Sequence, residues 1–127
     1  MTILRQALDK LQLTNLHATA ARTATGNGTA VDLQARDGDL YLVLDSAAGT
    51  GTTPTLDIKV QSSDTSGGTY ADITGATFTQ VTTTASQQAI VISKDEARRW
   101  IRVVYTVSGT TPSFTFSVNA VGVNKYG

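Results

Sequence analysis

Group-transfer or hydrolytic chemistry needs a nucleophile within reach of a base, and this sequence offers few bases. Hydroxyls are abundant, with 22 threonines, but His17 is the only histidine and cysteine is absent. His17 stands beside no recognisable nucleophile motif, so the expectation for it is a strand-surface position rather than a catalytic role. Paired carboxylates hydrolyse glycosides, yet the acids here are scattered through turns and outward strand positions. Asp37-Gly38-Asp39 and Asp64 carry oxygens of the kind calcium takes, without the ligand series of a calcium-binding loop. Their expected role is turn formation through side-chain-to-backbone hydrogen bonds. Gly26-Asn27-Gly28 leads into the strand-like TAVDL with no Lys-Ser/Thr after it, so it is no phosphate loop. Together these residues argue against an enzyme, and they call for no metal or organic cofactor.

Composition narrows the partners in the same way. Ten basic residues balance ten acidic ones, leaving no electrostatic footprint for nucleic acid or an anionic membrane. The lack of cysteine excludes a disulfide-stapled scaffold. At 127 residues and 40% hydrophobic, the chain can bury one real core. No apolar run approaches the roughly 20 residues that span a bilayer. Arg5, Asp9 and Lys10 interrupt the region where a signal peptide would be apolar, so no secretion signal is expected. Asn27-Gly28-Thr29 fits a glycosylation acceptor but is more simply a turn.

The elements that must carry these residues follow from periodicity. Ile3, Leu4, Ala7, Leu8 and Leu11 recur at helical spacing, which predicts a short amphipathic helix over 3–11 within an N-terminal arm of residues 1–16, its stripe packing on its own domain or docking on a neighbouring subunit. From there to residue 127 the period is two. Leu40, Leu42 and Leu44 alternate with Tyr41, Val43 and Asp45; Leu56, Ile58 and Val60 alternate with Asp57, Lys59 and Gln61. The same holds for Ile101, Val103 and Tyr105, and for Phe114, Phe116 and Val118. Shorter candidates lie at 17–25, 29–35, 69–73, 76–81 and 87–93. Clusters of Gly, Ser, Thr, Asp and Pro separate them, including Asp37-Gly38-Asp39 and Thr74-Gly75. The expectation is all-β: a single β-sandwich or jelly-roll-like domain of eight or nine short antiparallel strands over 17–127. Threonine suits such strands, because it is β-branched and its hydroxyl can face water without charge.

Two further features stand out. Gly51-Thr52-Thr53-Pro54 and Gly109-Thr110-Thr111-Pro112 each follow one alternating strand and precede another, about 58 residues apart. They predict two equivalent hairpins, one in each sheet or side by side around a pseudo-symmetry. Lys94 to Arg102 is the densest charged stretch; it reads as a solvated turn leading into a central strand at 100–107. Trp100 and Arg102 would lie opposite Ile101 and Val103, and both residue types are enriched at interface hot spots.

The segments RTATGNGTAVDL, DGDLYLVLD, TPTLDIKVQSSDTSGGTYADITGATFTQV and RRWIRVVYTVSGTTPSFTFSV cover roughly three-quarters of the chain. Taken together they resemble the head decoration (cement) proteins of tailed bacteriophages. Residues 60–78 are also similar to strand-turn-strand elements of β-sandwich sugar-binding modules and phage tail proteins. The decoration resemblance offers no catalytic residues. It implies a virion structural protein, assembled in the host bacterial cytoplasm, that binds the outer capsid surface and bridges major capsid protein subunits. It also implies a symmetric homo-oligomer, with capsid geometry favouring a trimer over a dimer; the balanced charge already argues against nucleic acid or membrane as a partner. The expected capsid or intersubunit contacts are Ile3, Leu4, Leu8 and Leu11 on the arm, with Trp100 and Arg102 on the sandwich. The alternatives are a tail- or fibre-associated β-module and a carbohydrate-binding module.

Overall fold

The structure is a computed structural model that describes residues 11–34, 36–93 and 97–124. Its strands are β1 (Leu11–Arg22), β2 (Gly26–Asn27), β3 (Val31–Asp32), β4 (Arg36–Ser46), β5 (Thr50–Ser63), β6 (Ala71–Thr77), β7 (Ser86–Ile92) and β8 (Trp100–Asn124). Every pairing between them is antiparallel, and no helix occurs among the described residues. They build a β-sandwich whose two layers share β8. Sheet A runs β1–β8–β4–β7 and uses the second half of β8. Sheet B runs β6–β5–β8 on the first half, with β2 and β3 on the far side of β8.

The alternation seen in sequence is the alternation of burial. Leu40, Leu42, Leu44, Leu56, Ile58 and Val60 are no more than 1% exposed, as are Phe114, Phe116 and Val118 from the shared strand. Successive strand residues point to opposite sides, so each strand gives one apolar row to the space between the layers. The seven threonines at 19, 23, 25, 77, 79, 106 and 115 are all exposed, which puts the hydroxyl surplus on the water side.

Segmentation differs from the sequence expectation. The Gly-Thr-Thr-Pro motifs do not close hairpins; each lies inside a strand, one in β5 and the other in the 25-residue β8. Gly51 and Gly109 take φ of 107° and 123°, and Thr53 and Thr111 take 47° and 48°. These left-handed residues bend the chain without ending its pairing. The bends carry the chain between layers: β4 of sheet A continues through the first motif into sheet B, and β8 passes through the second from sheet B to sheet A.

The two bends lie against each other. Thr52 pairs with Thr110, its own counterpart in the repeat, and the flanking pairs Thr50–Ser113 and Thr55–Ser108 exchange under the same shift. A pseudo-twofold axis therefore passes through the Thr52–Thr110 pair. The repeated units sit side by side around it, each spanning both layers.

Asp37-Gly38-Asp39 and Thr74-Gly75, expected as separators, likewise fall within β4 and β6. At the N-terminal end, residues 11–16 are strand rather than arm. Leu11 pairs with Val123 and Leu13 with Val121, because the last stretch of β8 offers an open edge that accepts them. The remainder of the expected arm, with Ile3, Leu4 and Leu8, lies outside the described residues.

Candidate docking faces

The outer face of sheet B displays Trp100 and Arg102. Ile101 and Val103 between and beyond them are fully buried, as the alternation requires. Pairing sets Trp100 opposite Ser63 and Asp32, and Arg102 opposite Gln61. The Arg102 guanidinium lies over the Tyr70 ring, 4.1 Å from its centroid. Its Nε and Nη2 donate to Gln61 Oε1 at 3.3 and 3.2 Å. Gln61 Nε2 donates onward to Asp72 Oδ1 at 2.9 Å, and Lys59 Nζ donates to Asp72 Oδ2 at 3.1 Å. The Gln61 amide and then the Lys59 ammonium hold the Asp72 carboxyl below its ordinary value. Arg99 clamps Asp32 through Nε and Nη2, at 3.0 and 2.9 Å, and stands 5.6 Å from the Trp100 ring centroid. That clamp, with the Gln34 backbone N–H, depresses the Asp32 carboxyl.

Both carboxylates are thus held in the ionised form by the donors around them. The face presents aromatic, guanidinium and amide planes in fixed positions. Trp100 and Arg102 were visible in the sequence; Tyr70, Gln61, Asp72 and Lys59 were not assembled with them. Their meeting depends on the β5–β8 and β5–β6 registers, which link residues far apart in the chain.

The outer face of sheet A is different in kind. Registers align Leu13, Val121, Tyr41 and Val91 in one row across all four strands. Leu13, Tyr41 and Val91 are 65%, 54% and 53% exposed. The next row holds Asn15, Asn119, Val43 and Ala89. A groove of about 350 Å³ opens beside it, lined by Val43, Asp45, Gln87, Gln88 and Ala89. Asn119 Oδ1 is buried and has no hydrogen-bond partner among the described residues. The signal for this row was present in β4, whose Leu40-Tyr41-Leu42-Val43-Leu44 is apolar on both faces, a mark of a strand covered on both sides.

His17 corrects its expected surface position. It is 3% exposed, stacked on Phe116 at a centroid distance of 4.1 Å and edge-on to Tyr105 at 5.3 Å. Nδ1 lies 3.2 Å from the Phe116 carbonyl oxygen and Nε2 accepts from Arg22 Nε at 2.8 Å. The register shifts on either side of it in β1 turn its side chain inward, out of step with simple alternation. Burial first, then the Arg22 charge, lowers its pKa. Asp64 meets Arg98 at 3.8 Å at the surface. Among the described residues no group of three or more His, Asp or Glu converges as a metal site would require. No helix among them is long and apolar enough to cross a membrane.

No protein-family model matches the sequence, and neither does any curated protein. Solved structures do match the fold. The PBSX exported protein XepA superposes with a TM-score of 0.58 at 16% identity, over 89% of this chain and 37% of its own. VP2 of infectious bursal disease virus, from a subviral particle, gives 0.52 at 12% identity, over 90% of this chain and 32% of its own. The SPBc2 prophage-derived protein YomS gives 0.48 at 15% identity, over 90% and 93%. The chain spans about a third of the length of XepA and VP2. At these identities the likeness is one of fold.

Proposed function

We propose that this chain is a structural protein of a phage virion that binds the outer surface of the capsid and stabilises the shell by bridging major capsid protein subunits. The observation that carries the reading is the β-sandwich it shares with a viral capsid protein and a phage-derived exported protein. The resemblance of its segments to decoration proteins supports the same role, and its described surfaces favour docking over chemistry. The face of sheet B around Trp100, Arg102 and Tyr70 is the shell contact: its aromatic and guanidinium groups are already held in place, so little side-chain ordering is lost on docking. Many copies acting together give a large effect from modest individual affinity. The protein binds as a homo-oligomer, a trimer by capsid geometry.

Electron microscopy of the virion tests this directly. Repeated density over the head supports it; a few copies confined to the tail would assign the chain to a tail or fibre module instead. Trp100→Ala should lower occupancy on particles, and light scattering should give the mass of three chains. The Tyr70–Arg102–Gln61–Asp72 network favours one second reading, a carbohydrate-binding module, because it sets aromatic faces beside planar polar groups. Glycan binding that Trp100→Ala abolishes would establish that reading.

A further inference from the structure

The two sheets end in different ways. An edge strand is a row of unpaired backbone donors and acceptors, and natural sheets blunt it with short strands, charges or bulges. Sheet B carries such devices: β2 and β3 have two residues each, and β6 holds Asp72 and a register shift against β5. Two stretches of sheet A lack them. β7 pairs with β4 over its whole length without a shift, and Ser86–Ile92 contains no charge, proline or glycine. Residues 11–15 of β1 pair with β8 equally in step and are likewise uncharged. Neither β1 nor β7 pairs with a further strand among the described residues.

Strand direction makes these two edges complementary. Each neighbouring pair in the order β1–β8–β4–β7 is antiparallel, so β1 and β7 run in opposite directions. A rotation axis along the strands preserves their directions from copy to copy, and it brings β7 of one copy antiparallel to β1 of the next. The apolar row ends on Val91 at one edge and on Leu13 at the other, both more than half exposed, and the next row ends on Ala89 and Asn15. Gln88 is already bonded to the Thr79 backbone, so the contact falls on residues 89–92. We infer that β7 of one copy pairs antiparallel with β1 of a second copy, through residues 89–92 and 11–15, so that the A sheets join edge to edge in a closed ring. A twofold contact of β7 with β7 would leave β1 open; a head-to-tail ring removes both edges. The ring size of three rests on the capsid reading above, whereas the pairing of the two edges does not.

The absence of cysteine makes a background-free test possible. Leu13 and Val91 stand at opposite ends of a four-strand row, roughly 14 Å apart at about 4.8 Å per strand step. A bis-maleimide shorter than that row therefore links them only between copies. Leu13→Cys combined with Val91→Cys in the full chain should give dimer and trimer bands and stop there, while either single variant should give at least tenfold less. Dimers from Val91→Cys alone would overturn the inference in favour of a twofold β7 contact. A ladder beyond three would overturn the closed ring, and absent cross-linking in the double variant would overturn the pairing itself. Val91→Lys charges an exposed edge position and should lower the mass in light scattering from three chains to one, with the strand signal in circular dichroism retained. An unchanged mass in that folded variant would count against the inference. Chains that decorate the head without cross-linking would remove this contact alone, whereas cross-linked trimers that never reach the head would remove only the capsid reading.

Discussion

His17 is locked between the Phe116 ring, the Phe116 carbonyl and the Arg22 guanidinium, and this arrangement accommodates the neutral imidazole. Protonation would set a second cation against Arg22 and leave Nε2 with no lone pair for the Arg22 donor. Since the folded-state pKa lies below the ordinary 6.5, the unfolded chain takes up the proton first as the medium is acidified. The stabilisation is therefore complete above about pH 6.5 and is lost progressively below it, down to the folded-state pKa. Asp32 and Asp72, depressed from 3.8, act only in a separate and more acidic window. Urea unfolding should show a lower midpoint at pH 5 than at pH 7.5, and His17→Gln should shrink that difference. An unchanged difference in the variant would place the titration elsewhere.

At the scale of elements, the two bends decide how eight strands become two layers. A Cβ on Gly51 would meet the Thr111 carbonyl oxygen at 2.5 Å, and one on Gly109 would meet that of Thr53 at 2.8 Å. Both glycines also hold left-handed φ, so Gly51→Ala and Gly109→Ala should each cost about 1–3 kcal/mol. Thr53 and Thr111 bear the opposite mismatch, a β-branched residue at positive φ. Each bonds its Oγ1 to the preceding carbonyl at 2.8 Å. Asparagine tolerates that backbone better, so Thr53→Asn and Thr111→Asn should each raise stability by about 1 kcal/mol. The pseudo-twofold requires the two sites to respond alike in denaturant melts; clearly different responses would mean that the bends are not equivalent. The repeat itself was legible in the sequence. That it bends strands rather than closing hairpins was not, because Gly-Thr-Thr-Pro has the composition of a turn. Only the partner strand running alongside keeps the pairing continuous through it.

For the molecule as a whole, β8 is the common member, paired with β1, β2, β3, β4 and β5. Phe114, fully buried just past its bend, packs where the shared strand passes into sheet A. Phe114→Ala should cost about 3–5 kcal/mol, a large share of the roughly 5–15 kcal/mol that stabilises a domain. A denaturant midpoint that falls with unchanged slope would show the loss to be one of packing.

The all-β class, the apolar rows of the core, the outward threonines and the outward pair Trp100 and Arg102 were all determined by the sequence alone. Each depends only on the two-residue period of a strand with one buried face. Where both faces of a strand are apolar, as in β4, the period identifies the strand but not which row enters the core. Which side chains meet across strands was decided by the tertiary structure: Tyr70 under Arg102, Gln61 between Arg102 and Asp72, and Leu13 in line with Val91. Those meetings depend on register between segments up to about a hundred residues apart, and on bulges that shift it, as beside His17. A register is fixed by the packing of the whole core, so it is not encoded in any single stretch of sequence.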